Sequence, residues 1–272
     1  MNIVIISEYA TRELYVIEQI IKQYPSAVVV QPTYSEKASN QTLQKKTFFK
    51  DLANRVSWKL HRELWNRKIY PGKNFPEISN KVLIPSDDLN GEKGIETVKK
   101  LSPDVLITCR SPLLKPGLIE IPSLAAINIH YGIAPFYRGN DTLFWPLFYN
   151  DFDHLGGCIH HLTKGIDTGN IIAEVYPELH FRDGEISVDC KTTHLLAQAV
   201  LRFLQAVEKS GESFSGKPQK ETGRNFNSKE RTLSKSLKYL AKRALGFSHP
   251  PKRSAKVVTY FNESIPLPKQ RK

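Results

Sequence analysis

Short, continuous runs of apolar residues alternate with longer polar stretches through the first half of the chain. These runs lie at residues 2–6, 27–30, 82–84, 104–108 and 126–130. They predict parallel strands that helices cover on both faces, because a half-exposed strand would instead alternate apolar and polar residues. Between the first two runs Leu14, Ile17 and Ile20 recur at helical spacing, so the chain opens β-α-β. The pattern predicts an α/β fold with a mostly parallel sheet and right-handed connections.

Other segments carry apolar residues at helical spacing among many basic residues. A stripe within a helical insertion at about 33–80 consists of Phe48, Leu52, Val56, Leu60 and Leu64, and a second stripe consists of Leu233, Leu237, Leu240 and Ala244. The first stripe predicts a surface helix that packs on the core, or else a binding surface for an acidic or membrane partner. Residues 186–207 predict a long helix, whereas the chain after Gly211 is hydrophilic and shows little strand signal. We therefore predict a globular domain at 1–210 and a basic C-terminal extension at 211–272, partly helical or disordered.

The charge of the chain is concentrated in that extension. Of the 39 Lys and Arg residues, 15 lie at 211–272, which leaves 24; of the 27 Asp and Glu residues, 4 lie there, which leaves 23. The extension therefore predicts an anionic partner, either a membrane surface or RNA, unless it is only a solvated segment.

Composition narrows the remaining classes. No run approaches the length of roughly 20 apolar residues that spans a bilayer, and the first residues lack a signal-peptide pattern, so we expect a cytoplasmic protein. Three widely spaced cysteines fit neither a disulfide framework nor a zinc motif, so we expect no metal.

Three polar residues suggest chemistry at one edge of the predicted sheet. Asn128 and His130 lie two apart at the end of an apolar run, so both should project to the same side. Asp167 follows in the turn GIDTG, between Gly165 and Gly169, which would allow positive φ and close approach to a ligand. An amide, an imidazole and a carboxylate together suit acyl transfer. Taken singly, each residue is more often a turn or structural residue.

The ordered set of motifs resembles a known family. The segment PDVLITCRSPLLKPGLIEIPSLAAINIHYGIAPFYRG, followed by GGCIHHLTKGIDTG, resembles the folate-dependent formyltransferases, and the weaker similarity runs from residue 1 to about 207. The resemblance implies a Rossmann-like formyltransferase fold, with 1–210 as its catalytic domain. It also implies that Asn128, His130 and Asp167 are catalytic. In many members of the family a Ser-Leu-Leu-Pro loop follows the histidine, whereas this chain has Gly132 to Pro135.

The resemblance also implies a formyl donor, 10-formyltetrahydrofolate. Its binding residues would be Leu113, Leu114 and Lys115 in one loop and Gly165, Ile166 and Asp167 in the other, while Tyr137 and Arg138 would contact the substrate. An unprotonated amine would attack the formyl carbon. Asn128 and a protonated His130 would then stabilise the oxyanion, and Asp167 would raise the proton affinity of the imidazole.

The acceptor amine is inferred by elimination. Methionyl-tRNA formyltransferases carry a C-terminal β-barrel that this chain does not predict, and glycinamide-ribonucleotide enzymes hold phosphate on a Gly-rich loop that SEYATRE lacks. An amino sugar or a nucleotide-linked amino sugar, used in cell-surface glycan synthesis, is the acceptor we expect. The alternatives are a methionyl-tRNA formyltransferase-like enzyme without the barrel, a formyltetrahydrofolate hydrolase, and a non-catalytic module that binds RNA or membrane. A homodimer is compatible with the sequence.

Overall fold

The computed structural model describes residues 1–8, 11–34, 63–64, 66–69, 77–220 and 223–261. The stripe predicted at Phe48, Leu52, Val56 and Leu60 lies outside these residues, as does most of the insertion predicted at 33–80. The last residues of the basic extension, 262–272, also lie outside them.

Within the described residues, eight strands form one sheet in the order β10-β8-β7-β5-β4-β1-β2-β3, and β6 and β9 form a separate pair. The strands are β1 (Ile3–Ile6), β2 (Val28–Thr33), β3 (Lys81–Pro85), β4 (Val105–Thr108), β5 (Ala125–His130), β6 (Tyr137–Gly139), β7 (Gly157–His161), β8 (Ile171–Tyr176), β9 (Arg224–Phe226) and β10 (Lys256–Thr259). The pairs from β3 through β5 are parallel, whereas β7, β8 and β10 join antiparallel. The mostly parallel α/β sheet predicted from the apolar runs is confirmed.

Helices cover both faces of this sheet. They are α1 (Thr11–Gln23), α2 (Glu92–Lys100), α3 (Pro116–Ile119), α4 (Phe144–Tyr149), α5 (Glu185–Ser210) and α6 (Leu233–Ala244). In β1 the side chains alternate between the two cores: Ile3 and Ile5 pack with α1 and α5, while Val4 and Ile6 pack with α2 and α3. Because both faces are buried, successive residues of the strand are all apolar. Among the described helices, none is long and apolar enough to cross a membrane.

The C-terminal segment contributes to the sheet and to the surroundings of β5. Strand β10 pairs antiparallel with β8, and β9 pairs parallel with β6. Little in the sequence indicates these strands, since both are short and β10 is only partly buried at the end of the sheet. The division of the chain at 210 remains a prediction, although backbone hydrogen bonds connect the two sides of it.

Helix α6 forms where the second basic stripe predicts a helix. Its apolar stripe does not turn toward the protein, because Leu237 and Leu240 are 56% and 58% exposed. Tyr239 is instead the buried residue of the helix. This arrangement reverses the usual amphipathic packing, in which the apolar stripe faces the core.

Candidate active site

The sheet order places the end of β5 between two neighbouring strands. Thr108 of β4 lies beside Asn128 in register, and His160 of β7 lies beside it on the other side. The Thr108 hydroxyl donates to Asn128 Oδ1 at 2.8 Å, which leaves Asn128 Nδ2 directed toward β7. The amide is therefore held in one orientation by its two neighbours.

Asp167 reaches this point from the loop between β7 and β8. Its backbone takes a left-handed conformation, with φ of 50°. The sequence placed positive φ at the flanking glycines, but Asp167 itself adopts it, as short polar residues can. Gly169 serves a different purpose, because a Cβ there would lie 1.8 Å from the carbonyl oxygen of His161. The loop therefore approaches β7 closely only because position 169 has no side chain.

The Asp167 carboxylate joins the predicted residues into one cluster. Asn128 Nδ2 donates to Oδ1 at 3.2 Å, and the backbone N–H of Gly139 donates to Oδ2 at 2.8 Å. His130 Nδ1 lies 3.6 Å from Oδ2, beyond hydrogen-bonding distance. Burial opposes the charge of Asp167, but the histidine charges and these donors outweigh it and hold the pKa of this carboxyl well below its ordinary value. Asp167 is therefore ionised at neutral pH.

The two nitrogens of the His130 ring face different groups. Nε2 lies 2.9 Å from the carbonyl oxygen of Tyr137, which can only accept, so Nε2 carries a proton. Burial lowers the pKa of His130 below its ordinary value and outweighs Asp167, which raises it. The resting imidazole is therefore neutral, with the Nδ1 lone pair on the side of Asp167. The protonated His130 expected from the sequence concerns the reaction intermediate, and it remains a prediction.

His160 is a member of this cluster that the sequence analysis missed. Its Nδ1 lies 2.8 Å from the carbonyl oxygen of His161, so that nitrogen carries a proton. Its Nε2 lies 3.1 Å from Asn128 Nδ2 and 3.2 Å from Asp167 Oδ1. In the neutral ring Nε2 accepts from Asn128, and in the charged ring it can donate to Asp167. The alternation of residues in β7 could have indicated this role, because it puts Cys158 and His160 on the same side of the strand.

A match to the formyl transferase family covers residues 1–204. This chain belongs to that family. The matched region contains β1 through most of α5, and with them Asn128, His130 and Asp167.

Individual relatives of this formyl transferase are distant. A methionyl-tRNA formyltransferase from Sulfurihydrogenibium sp. is 31% identical over 51% of this chain, and the chain spans 44% of the length of that relative. A sugar N-formyltransferase from Shewanella sp. has a similar fold, with a TM-score of 0.56 and 15% identity over 98% of this chain and 99% of that one. Glycinamide ribonucleotide transformylase 1 from Symbiobacterium toebii matches 76% of this chain and 87% of its own, with a TM-score of 0.52 and 11% identity. These structural matches establish the shared fold.

The two loops that the sequence assigned to the formyl donor follow β4 and β7, the strands on either side of β5. Leu113 and Lys115 are exposed in the loop after β4, and Leu114 is buried. Asn90 fixes this loop, since its amide donates to the Leu113 carbonyl at 3.0 Å and accepts from the Lys115 N–H at 2.7 Å.

An amide side chain also fixes the loop after β7. Gln219 donates to the carbonyls of Asp167 and Gly169 at 3.0 and 2.6 Å. Ile166 lies in this loop with an exposed side chain. Asn90 and Gln219 lie far from both loops in sequence, so no local pattern indicated them.

Tyr137 and Arg138, predicted to contact substrate, lie on the other side of His130. The ring of Tyr137 is buried, and its hydroxyl donates to Asp151 at 2.8 Å. Arg138 donates to the Gly223 carbonyl at 2.8 Å, and its buried Nε has no hydrogen-bond partner among the described residues. The backbone carbonyl of Tyr137 contacts His130. Contact of Tyr137 and Arg138 with the substrate remains a prediction.

Gly132 packs directly on the imidazole of His130. A Cβ at this position would lie 2.7 Å from His130 Nε2 and 2.6 Å from the Cβ of Thr142. Such contacts are too close for any side chain without movement of the ring or the loop. Gly132 is one of the residues that differ from the Ser-Leu-Leu-Pro loop common in the family, and it makes a tight contact with His130.

Among the described residues, no group of His, Cys, Asp and Glu is arranged to hold a metal ion.

Proposed function

We propose that this formyl transferase moves the formyl group of 10-formyltetrahydrofolate to the primary amine of an amino sugar or a nucleotide-linked amino sugar. The observation that carries the proposal is the convergence of Asn128, His130 and Asp167 at one end of β5, in a chain whose family match covers them. An amide donor, a neutral imidazole and an ionised carboxylate are the groups that amine acylation requires.

The two loops fit a flat, partly apolar donor. Leu113 and Ile166 expose apolar side chains, with exposed fractions of 58% and 44%, in the loops on either side of β5. Asn90 and Gln219 hold both loops in place through backbone carbonyls of Leu113 and Asp167. Apolar faces with a few fixed polar groups are typical of sites for heterocyclic ligands. Leu113, Leu114 and Lys115 would hold the donor on one side, and Gly165, Ile166 and Asp167 on the other.

The bound donor supplies an activated formyl group, and the residues of the chain handle charge and protons. Thr108 occupies Asn128 Oδ1, and Asn128 Nδ2 donates to His160 and Asp167 in the resting site. One of these two partners would give way to the negative charge that develops on a carbonyl oxygen, and Nδ2 would then donate to that oxygen. His130 starts neutral and accepts a proton from the attacking amine on Nδ1. Asp167, 3.6 Å away, stabilises the imidazolium that results. The same proton is then available for the departing nitrogen.

The extent of the fold supports a sugar acceptor. The Shewanella sugar N-formyltransferase matches 98% of this chain, whereas the glycinamide ribonucleotide transformylase matches 76%. The C-terminal segment, which includes β9 and β10, contributes Gln219 to the site. The match to the sugar N-formyltransferase therefore includes the segment that supplies Gln219, and this supports a sugar acceptor.

The test combines the protein with 10-formyltetrahydrofolate and one acceptor at a time. Acceptors are nucleotide-linked amino sugars, free amino sugars, glycinamide ribonucleotide and methionyl-tRNA, and both folate release and product mass are followed. We expect formylation of an amino sugar, and its loss in His130→Ala. Formylation of methionyl-tRNA alone would overturn the acceptor. Folate release without any acceptor would instead indicate a hydrolase.

A further inference from the structure

An apolar surface on α6 and the turn after it faces outward. Leu237, Leu240, Leu245 and Phe247 are 56%, 58%, 70% and 69% exposed. Leu237 and Leu240 lie three positions apart on one face of α6, and Leu245 and Phe247 follow directly after the helix ends at Ala244. We call these four residues, together with the exposed Phe181, the α6 surface. Phe181 adjoins it, since His249 stacks on its ring at 4.0 Å and lies two residues beyond Phe247.

The inward side of α6 is basic and is fixed by specific contacts. Lys242 Nζ donates to the Phe148 carbonyl at 3.0 Å, and Arg243 Nη1 donates to the Asp183 carbonyl at 2.6 Å. Lys235 donates to the carbonyl of Glu230 at 2.9 Å and lies 5.0 Å from the centre of the Trp145 ring. These contacts occupy three of the four cations of the helix, and Lys238 is the fourth. Rotation of the leucines toward the core would break them, so the exposed apolar face is a fixed feature of the fold.

The surroundings of the α6 surface are positively charged. Residues 223–261 contain 10 Lys and Arg residues, and Glu230 is the only acidic residue among them. Glu230 itself pairs with Arg224 at 2.5 Å. Lys238, between the exposed leucines, and Arg182, next to Phe181, are both exposed.

The neighbouring carboxylates are already paired. Glu185 and Asp141 both bind Arg231, at 2.7 and 3.0 Å, and Asp183 binds Lys191 at 2.6 Å. These carboxylates therefore do not neutralise the positive charge beside the α6 surface.

We propose that the α6 surface docks on an anionic lipid membrane, with the leucines and Phe247 in the headgroup region and Lys238 and Arg182 on lipid phosphates. Apolar side chains flanked by cations are the pattern of helices that lie in a membrane interface. A second copy of the chain would bring two positive segments together. Nucleic acid would engage the cations and leave the leucines in water. An anionic membrane satisfies both the charge and the apolar side chains.

Vesicle binding of the full chain tests this surface. Sedimentation compares vesicles of phosphatidylcholine with vesicles of equal parts phosphatidylcholine and phosphatidylserine. We expect at least roughly tenfold stronger binding to the anionic vesicles, and weaker binding as salt increases. Equal binding to both vesicles, or binding to neither, would overturn the proposal.

Paired variants separate the apolar and charged contributions. The double variant Leu240→Ser and Phe247→Ser should lose roughly tenfold or more in binding, and Lys238→Glu should lose several-fold. Leu83→Ser is the matched control, because Leu83 is 57% exposed on β3, at the opposite end of the sheet. Its binding should be unchanged. Circular dichroism confirms that each variant is folded, as expected for exposed positions.

Two further outcomes would contradict a lipid partner. A concentration-dependent dimer that the double variant abolishes would assign the surface to a second copy. The chain could instead bind RNA and not anionic vesicles. If Leu240→Ser and Phe247→Ser both left that RNA binding intact, only the cations of the surface would contact a partner. Formyl transfer should persist in the double variant, so the vesicle result and the proposed function are tested separately.

Discussion

The substitution Asp167→Asn isolates the charge of the carboxylate from its shape. Asn tolerates the left-handed conformation that Asp167 adopts, with φ of 50°, so the loop should keep its fold. The Asn carbonyl can still accept from the Gly139 N–H. The variant loses the negative charge 3.6 Å from His130 Nδ1, in a place where both side chains are at most 10% exposed. It also loses the second oxygen, which accepts from Asn128 Nδ2.

The size of the effect follows from that distance. A pair of charges 3.6 Å apart, in an effective dielectric of about 20, gains about 4 to 5 kcal/mol. If His130 is fully charged in the transition state, the loss corresponds to roughly a thousandfold in turnover. The pKa of His130 should also fall, since burial then acts without the opposing carboxylate.

Two measurements check this prediction. Turnover is followed by folate release at saturating donor and acceptor, and the titration of His130 is followed by NMR of the ring carbon. Glu178→Gln is the control, because Glu178 pairs with His180 at 3.1 Å on the surface and should change neither quantity. A loss of turnover below tenfold, or a His130 titration like that of the wild type, would refute the role of Asp167 as a partner of the imidazolium.

Three further predictions concern His130 and its neighbours. The pKa of His130 lies below its ordinary value of 6.5, and the neutral ring is the base. Turnover should therefore stay level down to about pH 6.5 and fall only below it. A pH–rate profile in which the fall in turnover is centred above that pH would contradict this. His160→Leu removes one of the two acceptors for Asn128 Nδ2 and should lower turnover about tenfold to a hundredfold in the folate-release assay, whereas an unchanged rate would show that Thr108 and Asp167 position the amide without it. Gly132→Ala should displace the imidazole and lower turnover in a folded protein. Gly184→Ala serves as the control, because a Cβ there meets nothing closer than 3.6 Å. Equal rates in the two variants would mean that the loop relaxes around the methyl group.

Much of the fold and part of the candidate site could be predicted from the sequence. Continuous apolar runs indicate strands buried on both faces, and these runs became β1, β2, β3, β4 and β5. Alternation along β5 put Asn128 and His130 on one side, the resemblance to the formyltransferases added Asp167, and the structure brings the three into contact range. The strands and the pair on β5 could be predicted because each depends on neighbours in the chain or on a periodicity that the backbone imposes.

The tertiary structure alone decided the remaining features, since they depend on residues distant in sequence. His160 joins the site because β7 pairs antiparallel with β5 in a register that puts it beside Asn128. Gln219 holds the Asp167 loop from 50 residues away. The outward leucines of α6 follow from the contacts of its cations with Phe148, Asp183 and Trp145. A periodic pattern shows that a helix has an apolar face, but only packing decides which face it turns toward the protein.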